Sequence, residues 1–244
     1  MKYLLKIVIA VLLFFIFTGC NLKKETLITG KTMGTTYHIK VVSFFYKDTE
    51  GLKGKIENRL KDINKSMSTF SKESEITRFN TFDSMEKFAV SADFLRVMKI
   101  AREIYELSEG AWDGTVYPLV ELWGFGSKEG KGDLPDKKDI EKILINVGFD
   151  KIEISESGYL IKRNPSVGID LASIAKGYGV DEIADVIRKE GIDSFLVEIG
   201  GEVVAKGKNE MGNIWTIGIN KPVDENTFVN NEIVAKIQIE NKLF

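Results

Sequence analysis

The sequence predicts an α+β fold, built as a single domain of mixed sheets with packed helices. Segments with helical spacing and segments with strand patterns follow one another without a regular βαβ alternation. The chain has 244 residues, enough for a substantial core, and its 43% hydrophobic and 29% charged residues are ordinary for a folded protein. No internal repeat, low-complexity tract or obvious interdomain linker divides it.

The first 19 residues predict a secretory leader. Lys2 and Lys6 precede an apolar run at 7–17 that is short for a membrane span, and Phe-Thr-Gly at 17–19 precedes Cys20. This order resembles the signal of a bacterial lipoprotein, which is cleaved before a cysteine that then carries lipid. An uncleaved anchor is the alternative. In both cases we expect an extracytoplasmic protein attached to a bacterial membrane, through a lipid on Cys20 in the first case.

A tether and two strands are predicted next. We assign residues 20–29 to a polar tether and 30–244 to the folded domain, although a strand-like run already begins at Thr26. Residues 37–42 alternate between polar and apolar side chains, which indicates a half-buried strand. The following segment has apolar residues at helical spacing, and these predict a helix with a buried face: Leu52, Ile56, Leu60, Ile63 and Met67.

The middle and the end of the chain predict two more helices and several strands. Ser91 is a suitable N-cap for a helix that stops at Gly110, and residues 111–118 are expected to form a loop. A short helix at 138–147 ends at Gly148. The predicted strands are a hairpin at 151–162 that turns at Ser157-Gly158, and single strands at 215–220 and 233–240.

Residues 168–207 carry the strongest indication of a binding site. An apolar run ends at Asp170, and a short Ala/Ser turn leads to Lys176 and a helix that stops at Gly191. Unpaired amides and the positive dipole at such a helix start, with the lysine charge, favour a diphosphate. Asp170 and Asp181 on either side could hold a cation or hydrogen-bond a polar ring. A capped amphipathic helix with a surface lysine explains the same spacing, so both interpretations stay open.

Composition excludes several classes of function. The net charge is −2 and no basic block is present, which argues against nucleic acid as a partner. One cysteine excludes a disulfide framework, and one histidine, His38, excludes multi-histidine zinc motifs. His38 is expected to be structural or exposed. No Walker A loop, G-x-G-x-x-G fingerprint or G-x-S-x-G elbow occurs.

Several separated stretches keep a common order between Lys31 and Pro222. They include Gly34-Thr35-Thr36-Tyr37 after Met33, Ser68-Thr69-Phe70 with Ser74-Glu75-Ile76, the runs 110–119 and 122–126, Asp170 to Asp181, and Val197 to Gly201. Together, and behind a lipoprotein leader, they resemble the ApbE family, the flavin transferases that move FMN from FAD to a threonine or serine of a target protein.

The resemblance implies roles for individual residues. Met33 and Phe70 would pack on the flavin or adenine rings, and Asp113 would accept a hydrogen bond from adenine or ribose. Lys176 would bind the phosphates. The full set implied to contact FAD is Met33, Phe70, Ala111, Trp112, Asp113, Asp170 and Lys176. Ser173 would offer its main-chain oxygen to Mg²⁺.

The resemblance also implies the reaction and the partner. FMN would pass from FAD to a Thr or Ser hydroxyl through a phosphoester bond, with Mg²⁺ as cofactor. The acceptor would be a protein such as a subunit of a membrane redox complex, carrying the family's target sequence Asp-Gly-x-[ST]-Gly-Ala-[ST]. The alternative is a lipoprotein that binds flavin or hydrolyses FAD without modifying a protein.

The sequence departs from the family pattern at its end. Family members continue with a His-Ile-x-Asp-Pro segment and a Thr-Ala-Asp segment, which carry a histidine implicated in transfer and two side chains of the metal site. Neither is found before Phe244. We therefore expect an ApbE-like domain that is incomplete at the C-terminus, and leave the catalytic residues unassigned.

Overall fold

A computed structural model describes residues 23–44, 48–126, 134–221 and 233–239. The predicted leader (1–19) and Cys20 lie outside these residues. In chain order the elements are β1 (Lys23–Thr32), β2 (Thr35–Phe44), α1 (Thr49–Met67), α2 (Glu75–Thr81), β3 (Lys87–Ala89), α3 (Ala92–Leu107), a 3₁₀ turn (Gly114–Val116), α4 (Tyr117–Leu122), α5 (Lys137–Leu144), a second 3₁₀ turn (Phe149–Lys151), β4 (Ile152–Ser155), β5 (Tyr159–Lys162), α6 (Ala172–Lys189), β6 (Phe195–Ile199), β7 (Glu202–Lys206), β8 (Trp215–Asn220) and β9 (Ile233–Ile239).

The central sheet has four antiparallel strands in the order β1-β2-β6-β7. Because side chains alternate across a strand, neighbouring residues such as Val41 and Val42 face opposite sides. Val41 packs in a core formed with α1 and α6, whereas Val42 packs in a smaller core against the β8–β9 hairpin. The sheet is therefore covered on both faces.

A second core lies beside the first. It joins α2, α3 and the three-stranded sheet β3-β5-β4 to the end of α1 and the beginning of α6. Met33, in the turn after β1, packs against both cores. The mixture of sheets and helices confirms the predicted α+β class.

Three helices are held together by a cluster of charged and phenolic groups, here called the Arg59 cluster (Arg59, Asp93, Tyr178 and Glu182). Arg59 on α1 donates from Nη1 to Asp93 Oδ2 at 2.5 Å and from Nη2 to Oδ1 at 2.8 Å. It also donates to Glu182 on α6 at 2.8 Å, and the Tyr178 hydroxyl donates to Asp93 at 2.7 Å. The cluster fixes α6 against α1 and α3.

Several predicted boundaries agree with the structure. All five apolar positions predicted for the first helix are buried on α1, and the Ser91 hydroxyl accepts from the Phe94 amide at the start of α3. The hairpin turn at Ser157-Gly158 joins β4 to β5, where Gly158 has a positive φ of 81°.

The predictions for residues 20–29 and 111–118 were wrong. The tether predicted for residues 20–29 is mostly strand, because β1 begins at Lys23 and pairs along its whole length with β2. The polar side chains of β1 suit an edge strand with one face in water. For this reason the polarity of the segment does not distinguish a strand from a tether. The loop predicted for 111–118 contains a 3₁₀ turn and the start of α4, where Pro118 occupies a position that a helix start tolerates. Within the described residues, no helix combines the length and apolar character needed to cross a bilayer.

Candidate functional site

A pocket of about 210 Å³ opens at the end of the central sheet where β1 turns into β2. The turn contributes Met33 and Gly34, the C-terminal end of α1 forms a second wall, and the start of α6 a third. The residues that line it are Met33, Gly34, Ile63, Asn64, Met67, Ser68, Thr69, Phe70, Ala172, Ala175 and Lys176.

The floor of the pocket is apolar and one aromatic ring stands at its edge. Ile63, Met67 and Ala175 are buried parts of the second core. Phe70 lines the pocket and is 72% exposed. An exposed ring above an apolar floor offers stacking and dispersion to a flat ring system.

The loop that carries Phe70 is anchored behind the ring. The Ser74 hydroxyl donates to the Ser68 carbonyl at 2.6 Å and accepts from the Thr77 amide at 3.2 Å, where it caps α2. Thr69 is almost completely buried. The exposure of Phe70 is therefore a property of an ordered loop.

Lys176 is the cation of the pocket. It lies in the second turn of α6, and its Nζ is 3.0 Å from Glu202 Oε1, with both side chains 32% exposed. The other oxygen of Glu202, Oε2, is buried and has no hydrogen-bond partner among the described residues. At the Gly200-Gly201 bend, a Cβ on Gly200 would lie only 2.7 Å from Thr35 Cγ2, so this bend requires glycine at 200.

Gly179 allows the β1–β2 turn to approach α6. A Cβ on Gly179 would lie 3.0 Å from the Met33 methyl group and 3.4 Å from Ile199 Cδ1. Met33 itself has a positive φ of 49°, a strained conformation for a residue with a side chain. The structure thus places the Met33 side chain between the two cores at the edge of the pocket.

The loop before α4 is tied to the start of α6. The Asp170 amide donates to the Gly114 carbonyl at 2.7 Å, and Asp170 Oδ1 accepts from the Ala172 amide at 2.7 Å. The indole of Trp112 donates from Nε1 to Ser173 Oγ at 3.1 Å. These bonds bring three of the predicted site residues beside Ala172, which lines the pocket.

The carboxylate of Asp113 is hydrogen-bonded within the protein. Its Oδ1 accepts from the amide and the hydroxyl of Thr115 at 2.8 and 2.6 Å, and its Oδ2 accepts from the Phe149 amide at 3.2 Å. These bonds fix the loop that carries Trp112. A contact between Asp113 and a nucleotide stays a prediction.

Comparison with known proteins decides the family. The model of the ApbE family matches residues 33–243. The chain belongs to the ApbE family. It is 40% identical over 229 residues to an FAD:protein FMN transferase from Haemophilus influenzae, covering 91% of this chain and 66% of that protein. The corresponding protein from Vibrio cholerae is 42% identical over 206 residues, covering 84% of this chain and 61% of the relative.

Solved structures agree with this assignment. The flavin transferase ApbE from Vibrio cholerae superimposes with a TM-score of 0.82 at 38% identity, covering 90% of this chain and 70% of that one. The apo form of the Pseudomonas stutzeri flavinyl transferase ApbE gives 0.76 at 33% identity, covering 81% and 66%. The chain spans 66% and 61% of the lengths of the two curated relatives from Haemophilus influenzae and Vibrio cholerae.

In this member of the ApbE family, the predicted site residues form two neighbouring groups. Met33, Phe70 and Lys176 line the pocket. The others lie in or beside the 111–115 loop and the start of α6, namely Ala111, Trp112, Asp113, Asp170 and Ser173. Ala111 is exposed and Trp112 half-buried. The roles of all eight toward FAD or Mg²⁺ stay predictions.

Two other expectations concerned Asp181 and His38. Asp181 does not flank the start of α6, because this helix begins at Ala172 and Asp181 follows about 13 Å farther along its axis. Burial and the nearby Asp185 carboxylate raise the pKa of Asp181 above its ordinary value. His38 is exposed on β2, as expected, and its Nδ1 lies 2.7 Å from Glu198 Oε2.

Sequence reasoning missed several residues of the site. Ile63 and Met67 were predicted as core, which they are, but they also form the pocket floor. Asn64 donates to Thr32 Oγ1 at 2.8 Å and to the Leu60 carbonyl at 2.9 Å, so it braces the wall. Glu202 could not be linked to Lys176 by spacing, since the pair forms across a glycine bend of the folded chain.

Proposed function

We propose that this chain binds FAD in the pocket between Met33, Phe70 and Lys176 and transfers its FMN part to a hydroxyl of a target protein. The observation that carries the proposal is one pocket with an apolar floor, an exposed aromatic ring and a half-buried ammonium group. A flat ring system and a diphosphate need these features side by side. Membership of the ApbE family supports the same reaction.

The dimensions suit part of the ligand rather than all of it. A cavity of about 210 Å³ takes one ring system, so the remainder of FAD would lie along the surface beside it. The loop that carries Trp112 and the start of α6 continue from the pocket through Ala172. They are the surface that we propose for the second half of the dinucleotide.

The proposed transfer is a displacement at phosphorus. The oxygen of a Thr or Ser hydroxyl attacks the phosphorus next to riboflavin, the bond from this phosphorus to the bridging oxygen of the diphosphate breaks, and AMP leaves. The hydroxyl proton passes to solvent or to a base. The part proposed for Lys176 is to bind the diphosphate and neutralise its charge, which is what phosphoryl transfer asks of a protein.

A magnesium ion is implied by the resemblance, and the described residues do not make a site for it by themselves. No group of three or more His, Cys, Asp or Glu side chains comes together among them. Ser173 lies in the first turn of α6, where a carbonyl is normally directed at the amide four residues later. No step of the proposal depends on the ion.

Binding measurements test the ligand and its orientation. Lys176→Ala should weaken FAD about tenfold, because one charge-assisted contact is worth about 1.5–3 kcal/mol before solvent screening, and should leave riboflavin nearly unchanged. Phe70→Ala should weaken both ligands. Lys206→Ala is the matched control, since this lysine forms an exposed ion pair with Asp193. If Lys176→Ala lowers the affinities for FAD and riboflavin equally, the substitution acts through folding and not through a phosphate contact.

A mass measurement tests the reaction. The chain is incubated with FAD and Mg²⁺, or with FAD and EDTA, and with an acceptor that carries Asp-Gly-x-[ST]-Gly-Ala-[ST]. The expected product is an acceptor heavier by one FMN residue, together with free AMP. Release of FMN and AMP without a heavier acceptor would favour the FAD-hydrolysing alternative. Binding without either product would favour a flavin-binding protein.

We also propose that the protein is lipid-anchored at Cys20 on the extracytoplasmic side of a bacterial membrane. The support is the basic and apolar leader that ends in Phe-Thr-Gly before the cysteine. Cys20→Ser should move the protein from the membrane to the soluble extracytoplasmic fraction. If the variant stays in the membrane with its leader uncleaved, the uncleaved-anchor alternative is correct.

A further inference from the structure

The first strand connects the proposed anchor to the flavin pocket. β1 begins at Lys23, three residues after Cys20, and ends at Thr32, directly before Met33 in the pocket. Three residues span at most about 11 Å. A strand rises about 3.3 Å per residue, so Met33 lies roughly 33 Å from Lys23. The lipid attachment point and the pocket are therefore at opposite ends of the sheet.

The end of the sheet next to Cys20 is formed by several strand ends. Lys23 pairs with Phe44 at the end of β2, and the start of β6 and the end of β7 meet at the Phe195–Lys206 pair. The Val42 amide donates to the Ser194 carbonyl, which brings the turn before β6 to the same end. This surface, here called the anchor end, is the part of the described protein that a short link to Cys20 holds closest.

The anchor end has side chains that suit a lipid–water boundary. Lys23 and Lys24 are exposed and Phe44 is 38% exposed, with the Lys23 ammonium 5.4 Å from the centre of the Phe44 ring. Lysines next to an exposed aromatic ring place apolar parts toward lipid and charge toward headgroups. Lys206 also lies here, paired with Asp193, so the surface is not a strongly basic patch.

We propose that the anchor end faces the bilayer and that the flavin pocket opens away from it, about 30 Å farther out. The proposal rests on the lipid anchor at Cys20 proposed above. It follows from the short link, which leaves no room for the free tether that the sequence suggested, and from the direction of β1. The occupant of this surface is the headgroup layer of the membrane that holds the lipid.

The same geometry limits which acceptor residues the pocket can reach. The link of about 11 Å and the strand of about 33 Å add to roughly 45 Å between Cys20 and Met33. A hydroxyl that accepts FMN must therefore come within about 45 Å of the membrane surface. We infer that the acceptor presents its Thr or Ser on a domain outside the lipid headgroups but within this layer.

Two single-cysteine labels test the orientation. Lipidation consumes the only native thiol, so Lys23→Cys and Lys31→Cys each offer one labelling site in the lipidated chain. Both residues are exposed on the same strand and the same face, about 26 Å apart. On vesicles with a headgroup-attached quencher, a fluorophore at position 23 should be strongly quenched and one at position 31 only weakly. Equal quenching, or stronger quenching at 31, would overturn the proposal.

Controls separate this inference from the proposed function. In a Cys20→Ser background neither label should be quenched, since the anchor is lost. If the chain with Cys20 fails to bind vesicles, or if its mass shows no lipid, the proposed anchor and the proposed orientation are both wrong. FAD binding in solution still tests the pocket in that case. If labels behave as expected but FAD does not bind, the orientation stands and the proposed reaction fails.

Discussion

The Arg59 cluster provides a stability prediction that can be worked out from the structure. We consider Asp93→Asn, which keeps the size of the side chain and removes its charge. Asp93 accepts two hydrogen bonds from Arg59 and one from Tyr178, and its side chain is only 25% exposed. It also lies in the first turn of α3, where a negative charge stabilises the helix.

Asp93→Asn should lower the free energy of unfolding by a moderate amount. The amide can replace one acceptor but presents an NH₂ group to the guanidinium, so one charge-assisted bond is lost, worth about 1.5–3 kcal/mol. The helix-dipole contribution adds about 0.3–1 kcal/mol. Glu182 still accepts from Arg59, and partial exposure screens the charges, so we expect about 2–3 kcal/mol in total. For a domain of this size, that corresponds to a fall in melting temperature of roughly 4–12 °C.

The stability difference between the wild type and Asp93→Asn should become smaller as the pH falls. Hydrogen bonds from Arg59 hold the pKa of Asp93 below its ordinary value, against burial, which raises it. A carboxylate with a lowered native pKa stabilises the folded state above its unfolded pKa of about 4 and loses this contribution as the pH falls through the native value. The difference between wild type and Asp93→Asn should therefore shrink below about pH 4.

Thermal unfolding followed by circular dichroism at pH 7 and at lower pH measures both effects. Asp193→Asn is the matched control, because its ion pair with Lys206 is exposed to solvent and should contribute little to stability. A melting temperature for Asp93→Asn within the error of the wild type would refute the reasoning. So would a deficit that is equally large at pH 7 and pH 3.

Two further predictions concern a buried lysine and two helix glycines. Burial lowers the pKa of Lys162 to about 8, below its unfolded value near 10.5, so the unfolded chain binds more protons between these values. The unfolding free energy of the wild type should then rise by about 2 kcal/mol from pH 7 to pH 9.5 relative to Lys162→Met in urea titrations; parallel curves would contradict this. Gly177→Ala should stabilise α6 by up to about 1 kcal/mol yet weaken FAD binding, whereas Gly179→Ala should displace Met33 and weaken riboflavin as well. Unchanged FAD affinity in Gly177→Ala would show that no ligand approaches there.

Much of the fold could be predicted because it follows from local patterns. The apolar spacing of α1 predicts its buried face, and a hydroxyl at Ser91 or a glycine at Gly158 has the same role in the sequence as in the structure. Ile63 and Met67 of the pocket floor were likewise predicted as core. These features depend on residues within one turn or one hairpin, which a single sequence displays.

The rest could not be predicted because it depends on contacts between distant segments. β1 is polar enough to suggest a tether, and only its pairing with β2 makes it a strand. The sequence predicts a short Ala/Ser turn before Lys176, but α6 already begins at Ala172 and includes the former turn residues as well as Gly177 and Gly179. The ion pair of Lys176 with Glu202 joins a helix to the far side of a strand turn.

Gly177 and Gly179 of α6 lack a side chain for different reasons. Each costs the helix up to about 1 kcal/mol relative to alanine. At Gly179 the compensation is visible, since a Cβ would press on Met33. At Gly177 a Cβ would meet no described atom within 4 Å beyond its own helical turn and chain neighbours. Packing among the described residues therefore does not explain the glycine next to Lys176, whereas close approach of the diphosphate that we propose to bind beside that ammonium would explain it.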